Sequence, residues 1–148
     1  MRSLDRPNPS YRSNVIKLIF EGATILESRQ KRGLVRGIVG TSHREPNGIM
    51  EFARFDLGDV IRKENGTETP RVLRIVAGNP LIMKEMVKHV PDAGSYAPVA
   101  ILIDERADGI HISYDTMVSH LAPYGNSEAL RVATDLDIKI ETIMAAAK

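Results

Sequence analysis

The sequence predicts a domain that mixes strands and helices, and three stretches carry that reading. Residues 71–114 run as strand, Gly78-Asn79-Pro80 turn, helix and then a buried hairpin. Residues 99–103 are apolar throughout, the pattern of a central strand covered on both sides. Toward the C-terminus, Ala129, Val132, Ala133, Leu136, Ile140, Ile143 and Met144 recur at helical spacing over about five turns, which predicts a long amphipathic helix.

The elements follow in order. Residues 1–13 are polar, contain Pro7 and Pro9, and are expected to form a flexible arm ahead of a single domain at 14–148. Residues 15–20 and 23–26 are rich in Ile and Leu and read as a strand interrupted near Gly22; residues 34–39 read as another short strand. Turn-forming residues make 40–48 a loop. Residues 49–55 read as a strand, and 57–63 as a short helix capped by Asp56 and ended at Asn65-Gly66. After a strand at 72–77, Asn79 caps the next helix and Pro80 takes its first position. Ile82, Met86, Val87 and Val90 give that helix one apolar face. Asp108-Gly109 turns the chain into a strand at 110–114. There Ile110, Ile112 and Tyr114 alternate with His111 and Ser113, which predicts a half-exposed strand. Asn126 or Ser127 caps the terminal helix, with Glu128 near its positive end.

Composition narrows function by exclusion. The chain of 148 residues is long enough for one domain with a sizeable core. Its 20 basic and 19 acidic residues leave a formal charge of +1, which argues against a dedicated nucleic-acid binder. Cysteine is absent, so disulfides, thiolate metal ligands and cysteine nucleophiles are excluded. Residues 1–11 lack the apolar core of a signal peptide. No apolar run approaches the roughly 20 residues of a membrane helix. The expectation is a soluble, cytoplasmic protein whose partners include neither nucleic acid nor membrane.

Several of these motifs, in their order and spacing, resemble the domain-of-unknown-function family 302. They are the strand ending in Gly78-Asn79-Pro80, the helix after it, and Pro98 leading into residues 99–103. The acidic turn Asp104-Glu105 to Asp108-Gly109, the strand at 110–114 and the helix start Gly125-Asn126-Ser127-Glu128 complete the set. The resemblance spans about residues 50–148. It implies an α+β fold, with an antiparallel sheet and helices packed mainly on one face, and it implies a homodimer. It brings no substrate, cofactor or catalytic residue. Many relatives carry a histidine just after the strand matching residues 49–55, where this chain has Asp56-Leu57-Gly58-Asp59. Some carry a cysteine in the strand-to-helix turn, where it has Ala77-Gly78. A metal or redox role resting on either residue is not expected here.

Three groups of residues are candidates for a site. Gly78, Asn79 and Pro80 come first: glycine lets the backbone approach a ligand, and a helix start presents N–H groups to an anion. Simple capping explains the same three residues. Gly37 to Ser42, followed by His43 and Arg44, supplies amides, hydroxyls and a guanidinium suited to phosphate. An exposed loop is the plainer reading, since the Gly-Lys-Ser/Thr ending of a P-loop is missing. His111, Ser113 and Asp115 share one strand face, with His111 or Asp115 as a general base, or else form a solvated surface. The histidines show no i,i+4 pairing, so no metal site is expected. Met83, Met86, Met117 and Met144 read as core and interface filling, and Pro98 as a residue leading into a strand.

Two functions remain open. The preferred one is a dimeric binding or accessory protein that takes a small anion near Asn79, with the apolar C-terminal helix too large for one sheet to cover. The alternative is an enzyme acting on a phosphorylated or carboxylated small molecule by acid–base chemistry, with Arg44 as anion clamp.

Overall fold

The computed structural model describes residues 15–21, 48–68 and 70–146. The arm at 1–13, the strands at 23–26 and 34–39, the loop at 40–47 and the phosphate candidate at 37–44 lie outside the described residues. Among the described residues five strands form one sheet: β1 (Val15–Glu21), β2 (Met50–Asp56), β3 (Val72–Gly78), β4 (Val99–Arg106) and β5 (Gly109–Asp115). Their spatial order is β1-β5-β4-β3-β2, and every neighbouring pair is antiparallel. Strands β2 to β5 therefore make a meander, and β1 pairs with the outer side of β5. Four helices accompany them: α1 (Gly58–Asn65), α2 (Pro80–Val87), α3 (Met117–Leu121) and α4 (Ser127–Ala146). The class is α+β, as expected.

Register decides where the core lies. Leu73, Ile75 and Ala77 of β3 stand level with Ile103, Ile101 and Val99 of β4. Ile101 and Ile103 stand level with Tyr114 and Ile112 of β5. Side chains alternate across a strand, so these residues share one face. Met86 of α2, Met117 and Leu121 of α3, and one stripe of α4 from Ala129 to Met144 bury against that face in a single cluster. Each large side chain buried there contributes roughly 1.5–3 kcal/mol. Leu136, Ile140, Ile143 and Met144 are all within the cluster, and of the large α4 aliphatics only Ile138 is strongly exposed. The terminal helix thus has no surplus apolar face, because α2 and α3 flank it along with the sheet.

Local signals set the helix ends. The side chain of Asn79 accepts the Leu81 amide at 2.8 Å, with Pro80 at the first helical position. Gly66 closes α1 in the left-handed region at φ 64°, which a side chain would disfavour. Asn126, rather than Ser127, caps α4 by accepting the Ala129 amide at 2.9 Å. Asp56 accepts the Asp59 amide at 3.0 Å and so performs the expected capping, although regular helix begins only at Gly58.

Two expectations are corrected. Residues 99–103 are not covered equally on both sides: Val99, Ile101 and Ile103 are buried, whereas Ala100 and Leu102 are half-buried on the face away from α2, α3 and α4. Residues 110–114 are more buried than a half-exposed strand. His111 is only 6% exposed, on a strand flanked by β4 and β1.

Candidate ligand pocket

The turn Gly78-Asn79-Pro80 forms part of the wall of a cavity of about 180 Å³. Five parts of the chain supply the lining. Phe52 comes from β2, Gly78 from the end of β3, and Pro80, Met83 and Met86 from α2. Ala97, Pro98 and Val99 lead into β4, and Leu136 comes from α4. Phe52 sits where the register of β2 shifts between Glu51 and Ala53, a bulge that re-aims a side chain. Gly78 leaves room for Pro98: a Cβ there would lie 3.2 Å from the Pro98 Cβ, a tight contact, and 3.6 Å from Phe52 Cε2, an ordinary one. Pro98 follows a cis peptide bond and is exposed, so it leads into β4 and lines the cavity as well.

Asn79 is the polar member of the lining, and both ends of its amide are engaged. Its Oδ1 accepts from Leu81, and its Nδ2 donates to the Gly48 carbonyl at 2.7 Å. Pro80 has no amide hydrogen, and the Met83 amide is bound to the Asn79 carbonyl at 3.0 Å. The helix start therefore offers an anion little that is not already in use. The capping interpretation of these residues holds, and the same residues also shape a pocket.

Two buttresses hold the surrounding segments. Tyr96, just before Ala97, stacks on His120 with ring centroids 4.7 Å apart and planes 8° from parallel. Its hydroxyl lies 3.3 Å from that of Tyr124, whose pKa is pushed up by this hydrogen bond and by burial. Next to Leu136, the buried Asp137 carboxylate accepts from the Tyr114 hydroxyl, from Met117 N at 2.8 Å and from Val118 N at 3.0 Å. It thereby caps α3 from a different helix. Burial first, and then the bond to Asp137, push the Tyr114 pKa up.

The remaining sequence candidates fall elsewhere. His111 Nε2 pairs with Asp108 Oδ1 at 2.8 Å, across the turn between β4 and β5. This hydrogen bond holds the Asp108 carboxyl below its usual range. Asp115, at the far end of β5, is exposed, and neither His111 nor Asp115 lines the cavity. His43 and Arg44 lie outside the described residues. Met86, Met117 and Met144 are core residues, whereas Met83 faces the pocket. Among the described residues no three His, Asp or Glu side chains are grouped to hold a metal ion. No described helix is long and apolar enough to cross a membrane. Sequence reasoning missed Phe52, Met83 and Leu136 as lining residues, since nothing local in their patterns separates them from core.

Fold and pocket together define an α+β domain with a preformed apolar cavity at one end of its sheet. The family model described as "Domain of unknown function DUF302" matches residues 41–147, and the chain belongs to that family. Among solved structures it is similar to one titled "Crystal structure of uncharacterized conserved protein DUF302 from Bacillus stearothermophilus". The TM-score is 0.73 at 7% identity, covering 90% of this chain and 98% of the other. At that identity the likeness is one of fold. No curated protein matches the chain.

Proposed function

We propose that this protein is a small-molecule-binding or accessory protein whose ligand occupies the cavity beside Gly78, Asn79 and Pro80. The cavity itself carries the reading: a concave site, lined mainly by apolar groups and built from several elements, is the usual form of a ligand pocket. An anionic group on the ligand would sit at the rim near Pro80, because the interior holds no free partner for it. His43 and Arg44, five and four residues before the tethered Gly48, are the candidates to meet it. His111 and Asp115 lie outside the lining, so binding is preferred over acid–base catalysis.

The protein is expected to act as a homodimer. Among the described residues eight large apolar side chains are strongly exposed, and four of them, Phe55, Leu57, Val60 and Ile61, fall in one stretch of chain. They follow β2, outermost among the described strands, into α1. Charges between 51 and 63 balance, with Glu51, Asp56 and Asp59 against Arg54, Arg62 and Lys63, and ion pairs link them all. A neutral apolar band can face its own copy without repulsion.

A thermal-shift panel of phosphates, nucleotides, carboxylates and apolar compounds tests the binding. A ligand at about 100 times its dissociation constant should add ~2.7 kcal/mol, or roughly 5–10 °C at this chain length. No shift with any class would sink the proposal. Sedimentation velocity tests the dimer, which Val60→Glu should dissociate; a wild-type monomer at high micromolar concentration would remove it.

A further inference from the structure

We infer that the buried part of the ligand is an uncharged hydrocarbon group the size of a single aromatic ring. The inference rests on the binding reading above and deepens it. Size is the first argument. An enclosed apolar cavity of about 150 Å³ accepts benzene, and this one, which opens beside Phe52, has a similar volume of about 180 Å³. One ring fills that space, and a second linked ring would project from it past the exposed Phe52 and Pro98.

Polarity is the second argument. A buried water needs two to four polar partners, and so does a buried polar ligand group. Asn79 is the polar lining residue, and its amide is committed to Leu81 and Gly48. The single buried side-chain polar atom without a hydrogen bond among the described residues is Oε2 of Glu105, which is not part of the lining. Among the described residues no buried side-chain polar atom of the lining is left without a hydrogen bond.

The third argument favours a ring over an alkyl chain. Met83 and Met86 bring thioethers that adapt to irregular shapes and contact aromatic rings favourably. Phe52 brings a ring suited to edge-to-face packing. Phe52 is 47% exposed and sits on a bulged edge strand, so it is placed to swing aside as a ring enters.

The experiment follows the methyl signals of the six methionines by NMR while the intact protein is titrated with toluene, biphenyl or inorganic phosphate. Saturable shifts of the Met83 and Met86 methyls with toluene, and at least tenfold weaker binding of biphenyl, are expected. Met83→Trp fills the cavity from a half-buried position and should weaken toluene at least tenfold while the melting curve stays cooperative. Phe52→Ala should admit biphenyl and provides a second variant if the tryptophan disturbs folding. Phosphate moving the Met83 and Met86 methyls while toluene does not would overturn the ligand class and leave the binding reading standing. Biphenyl binding as tightly as toluene would overturn the size limit. Silence toward every compound here and in the thermal panel would overturn both readings.

Discussion

Asp137 is the residue whose loss should be felt most. Its carboxylate is buried and takes hydrogen bonds from the Tyr114 hydroxyl and from the Met117 and Val118 amides. Asp137→Ala strands those donors at the start of α3. A buried donor left without a partner costs roughly 1–3 kcal/mol. The Tyr114 hydroxyl also serves Met117 N, at 3.2 Å, so one amide keeps a partner. The net loss should be roughly 3–5 kcal/mol, a large share of the ~5–15 kcal/mol that holds a domain together.

Urea unfolding measures it, provided the slope is unchanged between variants. Tyr114→Phe removes one donor and should cost about 1–2 kcal/mol. Because Tyr114 and Asp137 share a network, the double variant should lose less than the sum, by roughly 1 kcal/mol. Asp135→Ala, two residues earlier on α4 and exposed, should stay within about 0.5 kcal/mol of wild type. An Asp137→Ala cost below about 1 kcal/mol, or strict additivity with Tyr114→Phe, would refute the reasoning and make this carboxylate a bystander.

Three further outcomes are expected. Gly58→Ala should lower stability by about 2–3 kcal/mol, since its Cβ would come within 2.5 Å of the Pro70 carbonyl oxygen and 2.8 Å of Val72 N; a melting temperature equal to wild type would contradict this. Asn79→Ala should cost about 1–2 kcal/mol through the lost cap, and Asn79→Asp should recover the cap but not the bond to Gly48, which a melting comparison of the two resolves. Acid titration should reveal Asp108: its depressed pKa in the folded state means its stabilisation is complete above the ordinary aspartate value of about 3.9. That stabilisation is lost as pH falls through the lower folded value. Asp108→Asn should flatten the stability-versus-pH curve in that window, and an unchanged curve would remove the role assigned to the His111 bond.

The parts of the fold legible in the sequence are those whose cause is local. Gly78-Asn79-Pro80 declares a strand end and a helix start because turn space, cap and pre-set φ all belong to adjacent residues. The α4 helix is legible because seven apolar residues repeat at its period. By contrast α3 has five residues, too few for a period to show. Although Thr116 contributes a local cap, its other N-terminal acceptor is Asp137, some twenty positions away. His111 reads as a surface residue from alternation alone. Its place on an internal strand depends on β1 joining the sheet beside it, with Ile19 opposite His111, which no local pattern announces. The pocket is illegible for the same reason, since Phe52 and Leu136 meet there from positions 84 residues apart.

The competition between capping and ligand binding at the Gly-Asn-Pro turn dissolves once the geometry is considered. The missing Cβ of Gly78 leaves room for Pro98 and Phe52 beside it in the cavity wall. Asn79 caps α2, which fixes the direction in which Met83 and Met86 project, and its other end holds Gly48 just ahead of β2, which carries Phe52. The turn thus stabilises the fold by the bonds that also keep the cavity open. It follows that Asn79→Ala should weaken a bound ring by more than its loss of stability explains, because two walls lose their common anchor. Binding measured well below the melting transition separates the two effects. If affinity is unchanged there while stability drops, Asn79 is a cap alone and the walls are held by the core.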